Sequence, residues 1–147
     1  MKTRSFIKGA AIVGGGLLIA KGIDDRLETT HYTISSNKIP IEFDGFRIVQ
    51  ISDFHASAVP GLISEIKSEN PDIIVSTGDL VHDYGSYEPG VRLARRLSEI
   101  TDTYSVTGNH DLRRSDFRKF QSELDKTGTK TLHNESVIIT RNNASIT

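Results

Sequence analysis

The chain alternates short apolar runs with amphipathic segments, and this alternation restricts the fold more than any other feature of the sequence. The runs FRIVQIS, DIIVST and TYSVT begin at Phe46, Asp72 and Thr103. Between them, residues 60–70 and 89–100 carry apolar side chains at helical spacing. Because parallel neighbouring strands need a crossover connection, two consecutive strand-helix-strand units predict a parallel sheet with helices on its faces.

The segments on either side of this unit extend the same α/β pattern. HYTIS and IPIEF, which begin at His31 and Ile39, alternate loosely at period two and predict strands. Residues 115–126 predict a further helix with Ser115 as its N-cap. ESVIIT, from Glu135, predicts a strand that enters a hairpin.

Composition excludes several classes of function. The 147 residues are sufficient for one domain, and a formal net charge of -1 without a basic stripe argues against nucleic acid as a partner. The chain has no cysteine, which excludes disulfides, thiolate catalysis and cysteine-bound zinc. Any metal ion must therefore be bound by oxygen and imidazole nitrogen atoms.

The N-terminus predicts export. Residues 1–22 place Lys2, Arg4 and Lys8 before an uncharged run, GAAIVGGGLLIA, which is typical of a signal or membrane-anchor-like segment. The run is shorter than the roughly 20 residues of a spanning helix. KTRSFIKG is similar to a twin-arginine motif, with Thr3 where the other arginine belongs. We expect an exported or membrane-associated protein, contacting membrane through residues 6–20.

Polar side chains follow each of the three buried strands. They are Asp53, His55, Asp79, Asn109 and His110. Because the carboxyl ends of parallel strands share one edge, these loops should converge on one crevice. Asp53 and His55 are two residues apart, so on extended backbone both side chains point to the same side. Carboxylate, imidazole and amide groups together suit a divalent ion of the manganese, iron or zinc type.

Glycines and arginines flank these polar residues. Gly78 and Gly108 allow sharp turns and a close approach of the backbone to a ligand. Arg113 and Arg114 open a predicted helix, a position where paired arginines are usually solvent-facing, so they are not assigned to the site.

The three motifs D-x-H, G-D and G-N-H-D, in IVQISDFH, PDIIVSTGDLV and YSVTGNHD, resemble the calcineurin-like metallophosphoesterase superfamily, in its membrane-associated or exported bacterial branch. The resemblance implies a β-sandwich flanked by helices and a dinuclear metal site that activates water for attack on phosphorus. It also implies two divalent ions, of manganese, iron, zinc or cobalt.

The resemblance assigns a role to each matching residue. Asp53 and His55 would bind the first ion, Asp79 would bridge both, and Asn109 would bind the second. His110 would stabilise or protonate the leaving oxygen. The substrate would be a small-molecule or lipid-linked phosphoester.

Two departures from the family pattern affect these expectations. Much of the family has an aspartate three residues after the bridging one, which orients the catalytic histidine; this chain has His82 there and Asp83 next. The resemblance covers residues 40–147, after a linker and first strand at 23–39. That region is the N-terminal half of such a domain, without the family's later histidines.

Three hypotheses remain open from the sequence. The chain is the N-terminal part of a metallophosphoesterase whose C-terminal half is missing, which we favour. The second hypothesis is a short protein that binds a metal or phosphate without turnover. The third is a half that completes its site with another chain.

Overall fold

A mostly parallel sheet forms the centre of the fold. The computed structural model describes the backbone of residues 6–13 and all of residues 27–147. The strands of the main sheet are β1 (Phe6–Val13), β2 (Thr29–Ser35), β3 (Phe46–Ser52), β4 (Ile73–Ser76), β5 (Thr103–Ser105) and β6 (Lys130–Thr131). Their order across the sheet is β2-β1-β3-β4-β5-β6. Among the described strands of this sheet, β1 and β2 pair antiparallel and the other neighbours pair parallel, so the predicted parallel α/β sheet is confirmed.

The crossover helices are present where hydrophobic periodicity predicts them. The helices are α1 (Leu62–Ser68), α2 (Glu88–Ser98), α3 (Asn109–Arg113) and α4 (Phe117–Asp125). Helix α1 connects β3 to β4, and α2 connects β4 to β5. The short helix α3 was not predicted; it begins after the loop of residues 106–108 that follows β5, and it contains three of the four residues of G-N-H-D.

The two faces of the sheet are covered differently, as the alternation along β3 requires. Val49 and Ile51 point into a core shared with the helices, which includes the buried side chain of Phe120. Phe46 and Ile48 belong to a second core on the opposite face.

A small hairpin covers that opposite face. It consists of β7 (Ile139–Arg141) and β8 (Ala144–Ile146), paired antiparallel as a separate two-stranded sheet. Ile139, Ala144 and Ile146 pack against the second core. The chain thus places helices on one face of the sheet and a second sheet on the other.

The predicted N-terminal segment lies partly outside the described residues, which omit 1–5 and 14–26. Within it, the backbone of β1 pairs with β2 and with β3. Among the helices that the structure describes, none has the length and apolar character needed to cross a membrane. An export or anchor role for residues 1–22 therefore stays a prediction.

Two local predictions are wrong. IPIEF is not a strand: Ile41–Phe43 form a single 3-10 turn, in which the N–H groups of Phe43 and Asp44 donate to the carbonyls of Pro40 and Ile41. This turn buries Phe43 under the sheet.

Ser115 is not the N-cap of α4 either. The helix begins at Phe117, and its N-cap is Asp116, whose side chain makes no capping hydrogen bond. The Asp116 carboxylate instead accepts hydrogen bonds from the guanidinium of Arg114.

Candidate metal centre

The loops after β3, β4 and β5 meet at the carboxyl edge of the sheet. One ligand atom from each of Asp53, His55 and Asp79 lies within 4.8 Å of the other two. Nε2 of His55 is 3.6 Å from Oδ1 of Asp53. The structure therefore brings together residues that are separated by up to 26 positions in the sequence, as the parallel topology predicts.

The backbone of the first loop is not extended, so the prediction that Asp53 and His55 share a side because of extended backbone is wrong. Both residues are left-handed, with φ angles of 53° and 49°. Their N–H groups donate to the carbonyls of Gly78 and Asp79, at 3.3 and 2.9 Å. Left-handed non-glycine residues cost on the order of 1–3 kcal/mol each and cluster at functional sites. The hydrogen bonds to the neighbouring loop maintain this conformation.

The second and third loops touch at their glycines. A Cβ on Gly78 would lie 2.7 Å from Cα of Gly108, and Gly78 also has a φ of +109°. Gly108 is extended, with φ of -89°, so it is not the bend that the motif suggested. Its missing side chain matters because a Cβ there would overlap the backbone nitrogen and carboxylate of Asp79.

A buried carboxylate joins the same two loops. Asp111, 1% exposed, accepts hydrogen bonds from the N–H groups of Asp79 and Gly108, both at 2.9 Å, and of Val81, at 3.1 Å. In return, the N–H of His110 donates to Oδ1 of Asp79 at 2.8 Å. The last residue of G-N-H-D is therefore a structural residue, a role that the sequence did not reveal.

The imidazole of His110 faces Asp83. Its Nδ1 is 3.7 Å from Oδ1 of Asp83, beyond normal hydrogen-bond length. Asp83 therefore lies near the imidazole of His110 without a hydrogen bond to it, and whether it orients His110 stays open. Asn109 begins α3 and is exposed, so its role as a ligand stays a prediction.

His82 also lies in the site, although it was not among the predicted site residues. Its ring stacks on that of His55, with centroids 4.5 Å apart and planes inclined by 22°. The ring of His110 lies 6.0 Å from that of His82. The departure from the family pattern at this position was the signal that could have identified His82.

Arg114 holds the loop that carries His82 and Asp83. Its guanidinium donates to the carbonyls of His82, at 2.5 Å, and Gly85, at 2.9 Å, and its side chain is only 3% exposed. It also lies over the ring of Tyr87, 5.5 Å from the centroid. The expectation that Arg114 faces solvent is wrong, because the loop carbonyls need a donor that sits inside the fold.

The residues present are suited to divalent metal ions. Carboxylate oxygens and imidazole nitrogens are the donors that manganese, iron, zinc and cobalt accept. The Nδ1 atoms of His55 and His110 are buried and, within the described part of the chain, have no hydrogen-bond partner. Buried polar atoms of this kind require an explanation, and for the imidazole of His55 a bound ion would provide one.

Comparison with known proteins agrees with this geometry. Residues 46–144 match the sequence profile of the family described as calcineurin-like phosphoesterase. The chain belongs to this family. The match includes every residue of the candidate metal centre and the hairpin as far as Ala144.

Curated relatives support the same assignment. The chain is 36% identical over 129 residues to the uncharacterized metallophosphoesterase YkuE of Bacillus subtilis, covering 76% of this chain and 45% of YkuE. It is 30% identical over 119 residues to a transmembrane protein with metallophosphoesterase domain from Danio rerio, covering 74% of this chain and 26% of that protein. The protein of the same name from Bos taurus is 28% identical over 122 residues, covering 78% and 28%. No solved structure matches the chain.

The chain therefore spans less than half the length of these curated relatives. The calcineurin-like fold and the candidate centre are properties of the part described here. The activity, substrates and partners of a whole protein of this family are proposals.

The contact between Gly108 and Asp79 predicts a steric cost for a side chain at position 108. Alanine readily adopts the extended backbone of Gly108, so Gly108→Ala should destabilise only through overlap with Asp79. We expect a loss of about 3 kcal/mol in the free energy of unfolding, measured by urea denaturation. Gly85→Ala is the control: it has a φ of +75° and open space around it, and should cost only about 1–2 kcal/mol. Equal losses in the free energy of unfolding for the two variants would contradict the predicted overlap between position 108 and Asp79.

The ion pair between Arg114 and Asp116 predicts a pH-dependent stability. The hydrogen bond from Arg114 lowers the pKa of Asp116 below its ordinary value of 3.8. A lowered pKa in the folded state adds stability above the unfolded pKa, and this is lost as pH falls through the folded pKa.

We therefore expect Asp116→Asn to be less stable than the wild type at pH 7, by an amount that shrinks as the pH falls below about 4. Urea denaturation from pH 7 to pH 3 measures the difference. Ser122→Ala, exposed on the same helix, alters no titratable group and serves as the control. A difference that stays constant or grows at low pH would show that the ion pair is not the cause.

Proposed function

We propose that this chain carries the metal-binding part of a metal-dependent phosphoester hydrolase. The observation that supports the proposal most strongly is the convergence of Asp53, His55 and Asp79, whose ligand atoms lie within 4.8 Å of one another. Family membership supports the same reaction class.

The predicted ligands divide between two ions. Asp53 and His55 would bind one, Asn109 the other, and Asp79 would lie between them. When bound, such a pair supplies a water of lowered pKa and Lewis-acid stabilisation of the phosphoryl oxygens. The carboxylate of Asp79 is held for this role by its hydrogen bond from the N–H of His110.

His110 would donate a proton to the leaving oxygen. Its Nδ1 faces Asp83, so a proton on Nε2 is directed away from that carboxylate. General-acid catalysis of this kind contributes about 10²–10⁴ in rate. Asp83 would act as a positioning residue, through the orientation of the imidazole.

A second candidate function is binding of a metal or phosphate without turnover. The small number of ligands for the second ion favours binding without turnover. Within the described residues, that ion would have only Asp79 and the exposed Asn109 as ligands. Histidines from a further part of a longer protein, or from another chain, would then be needed to complete the centre.

The proposal also covers the class of substrate and the place in the cell where the protein acts. We propose a small-molecule or lipid-linked phosphoester as substrate, since a net charge of -1 does not favour nucleic acid. We also propose that the protein acts at a membrane or after export. The charged and apolar residues 2–20 support this, as do the names of the two relatives described as transmembrane proteins.

The direct test is manganese-dependent hydrolysis by the purified chain, with a bis-aryl phosphate and an aryl phosphate as substrates. Asp79→Asn removes the central carboxylate charge and should reduce turnover by at least about 100-fold. Asp102→Asn makes the same change at an exposed carboxylate at the opposite end of the sheet, and should leave turnover unchanged. Circular dichroism shows whether each variant is folded.

Each outcome decides between the candidates. Manganese-dependent turnover that Asp79→Asn abolishes and Asp102→Asn retains supports hydrolysis. Turnover that is independent of manganese, or equal in both variants, contradicts it. Manganese binding without turnover contradicts hydrolysis by this chain and supports the binding function.

A further inference from the structure

His82 introduces a third imidazole into a site for which the family pattern implies a carboxylate at that position. The centroids of the His55 and His110 rings are 4.8 Å apart, and the ring of His82 stacks on that of His55. One nitrogen from each of the three rings lies within 4.8 Å of the other two. Beside the set formed by Asp53, His55 and Asp79 there is therefore a second set of ligands, in which every donor atom is an imidazole nitrogen.

The three imidazoles can close around a single ion. Zinc-nitrogen bonds of about 2.0–2.1 Å in a tetrahedron place ligand nitrogens roughly 3.3–3.4 Å apart. The nitrogens lie within 4.8 Å of one another, and the rings of His55 and His82 are stacked, so at least one of these rings must turn for the nitrogens to converge on one ion. His82 can rotate because its ring is only partly buried, and its described contacts are ring stacks rather than hydrogen bonds.

We propose that His55, His82 and His110 form a second, nitrogen-only metal site that takes an ion of the zinc or cobalt type. Three histidines with an open fourth position are a known zinc environment. Imidazole suits zinc, copper and nickel, whereas carboxylate ligands suit manganese and magnesium. The nitrogen-only set should therefore favour zinc or cobalt over manganese more strongly than the mixed set does.

The two sets compete because His55 belongs to both. The nitrogen-only site also takes His110, the residue proposed as the general acid. Zinc should therefore inhibit manganese-supported hydrolysis. This consequence rests on the proposed function, whereas zinc binding itself does not.

A purely aromatic role for His82 is the alternative explanation. The ring lies between His55 and Tyr84, whose ring is stacked on it at 4.9 Å and 7°. His82→Phe separates the two explanations, because it retains a flat ring of similar size and removes both nitrogens.

The experiment is a titration of the full chain with Co²⁺ alone, followed by its visible absorption, and with Mn²⁺ alone, followed by electron paramagnetic resonance. Since the chain has no cysteine, a visible cobalt band reports nitrogen and oxygen donors only. His82→Phe should weaken Co²⁺ binding by at least about tenfold and change Mn²⁺ binding by less than about threefold. His133→Phe replaces an exposed histidine outside the site and should change neither.

Three results would overturn the proposal: unchanged Co²⁺ binding by folded His82→Phe, equal losses of Co²⁺ and Mn²⁺ binding, or an equal effect of His133→Phe. These titrations need no turnover. A failure of the proposed hydrolysis, seen in the Asp79→Asn comparison, is therefore distinguishable from a failure of the nitrogen-only site.

Discussion

The buried carboxylate of Asp111 is the interaction on which the geometry of the centre depends. It accepts hydrogen bonds from the N–H groups of Asp79, Val81 and Gly108, so one side chain fixes the loops after two neighbouring strands. At 1% exposure, water cannot replace it, and an unsatisfied buried N–H costs about 1–3 kcal/mol. The bond from Gly108 to Asp111 lies at the start of α3. The Asp79 carboxylate is positioned by a separate hydrogen bond, from the N–H of His110.

Two further contacts complete the same edge. The loop after β3 is held against the loop after β4 by two hydrogen bonds, which the N–H groups of Asp53 and His55 donate to carbonyls of that loop. Arg114 fixes the loop of His82 and Asp83 from inside the fold. The centre is therefore preorganised by backbone contacts, while its imidazole rings remain partly exposed and available to a ligand.

The sequence predicted the features that depend on periodicity and topology. Alternation along β3 and the strand-helix-strand order were sufficient to bring Asp53, His55 and Asp79 to one edge. Features that depend on a single tertiary contact were not predictable. The solvent-facing assignment of Arg114 failed because the carbonyls it contacts lie about 30 positions away, and the N-cap at Ser115 failed because Arg114 recruits Asp116. Asp111 gave no local signal of its role, and the only signal for His82 was its departure from the family pattern.

The central claim is that three loops of this chain form one metal site, and paramagnetic broadening tests it most directly. Substoichiometric Mn²⁺ added to the isotopically labelled chain should broaden the amide resonances of residues 53–56, 78–83 and 108–111 before all others in a heteronuclear NMR spectrum. Unchanged chemical shifts for residues of α2 and of the β7-β8 hairpin would show that Mn²⁺ does not alter the fold. Broadening that is absent, confined to one loop, or centred on acidic residues elsewhere would contradict the claim.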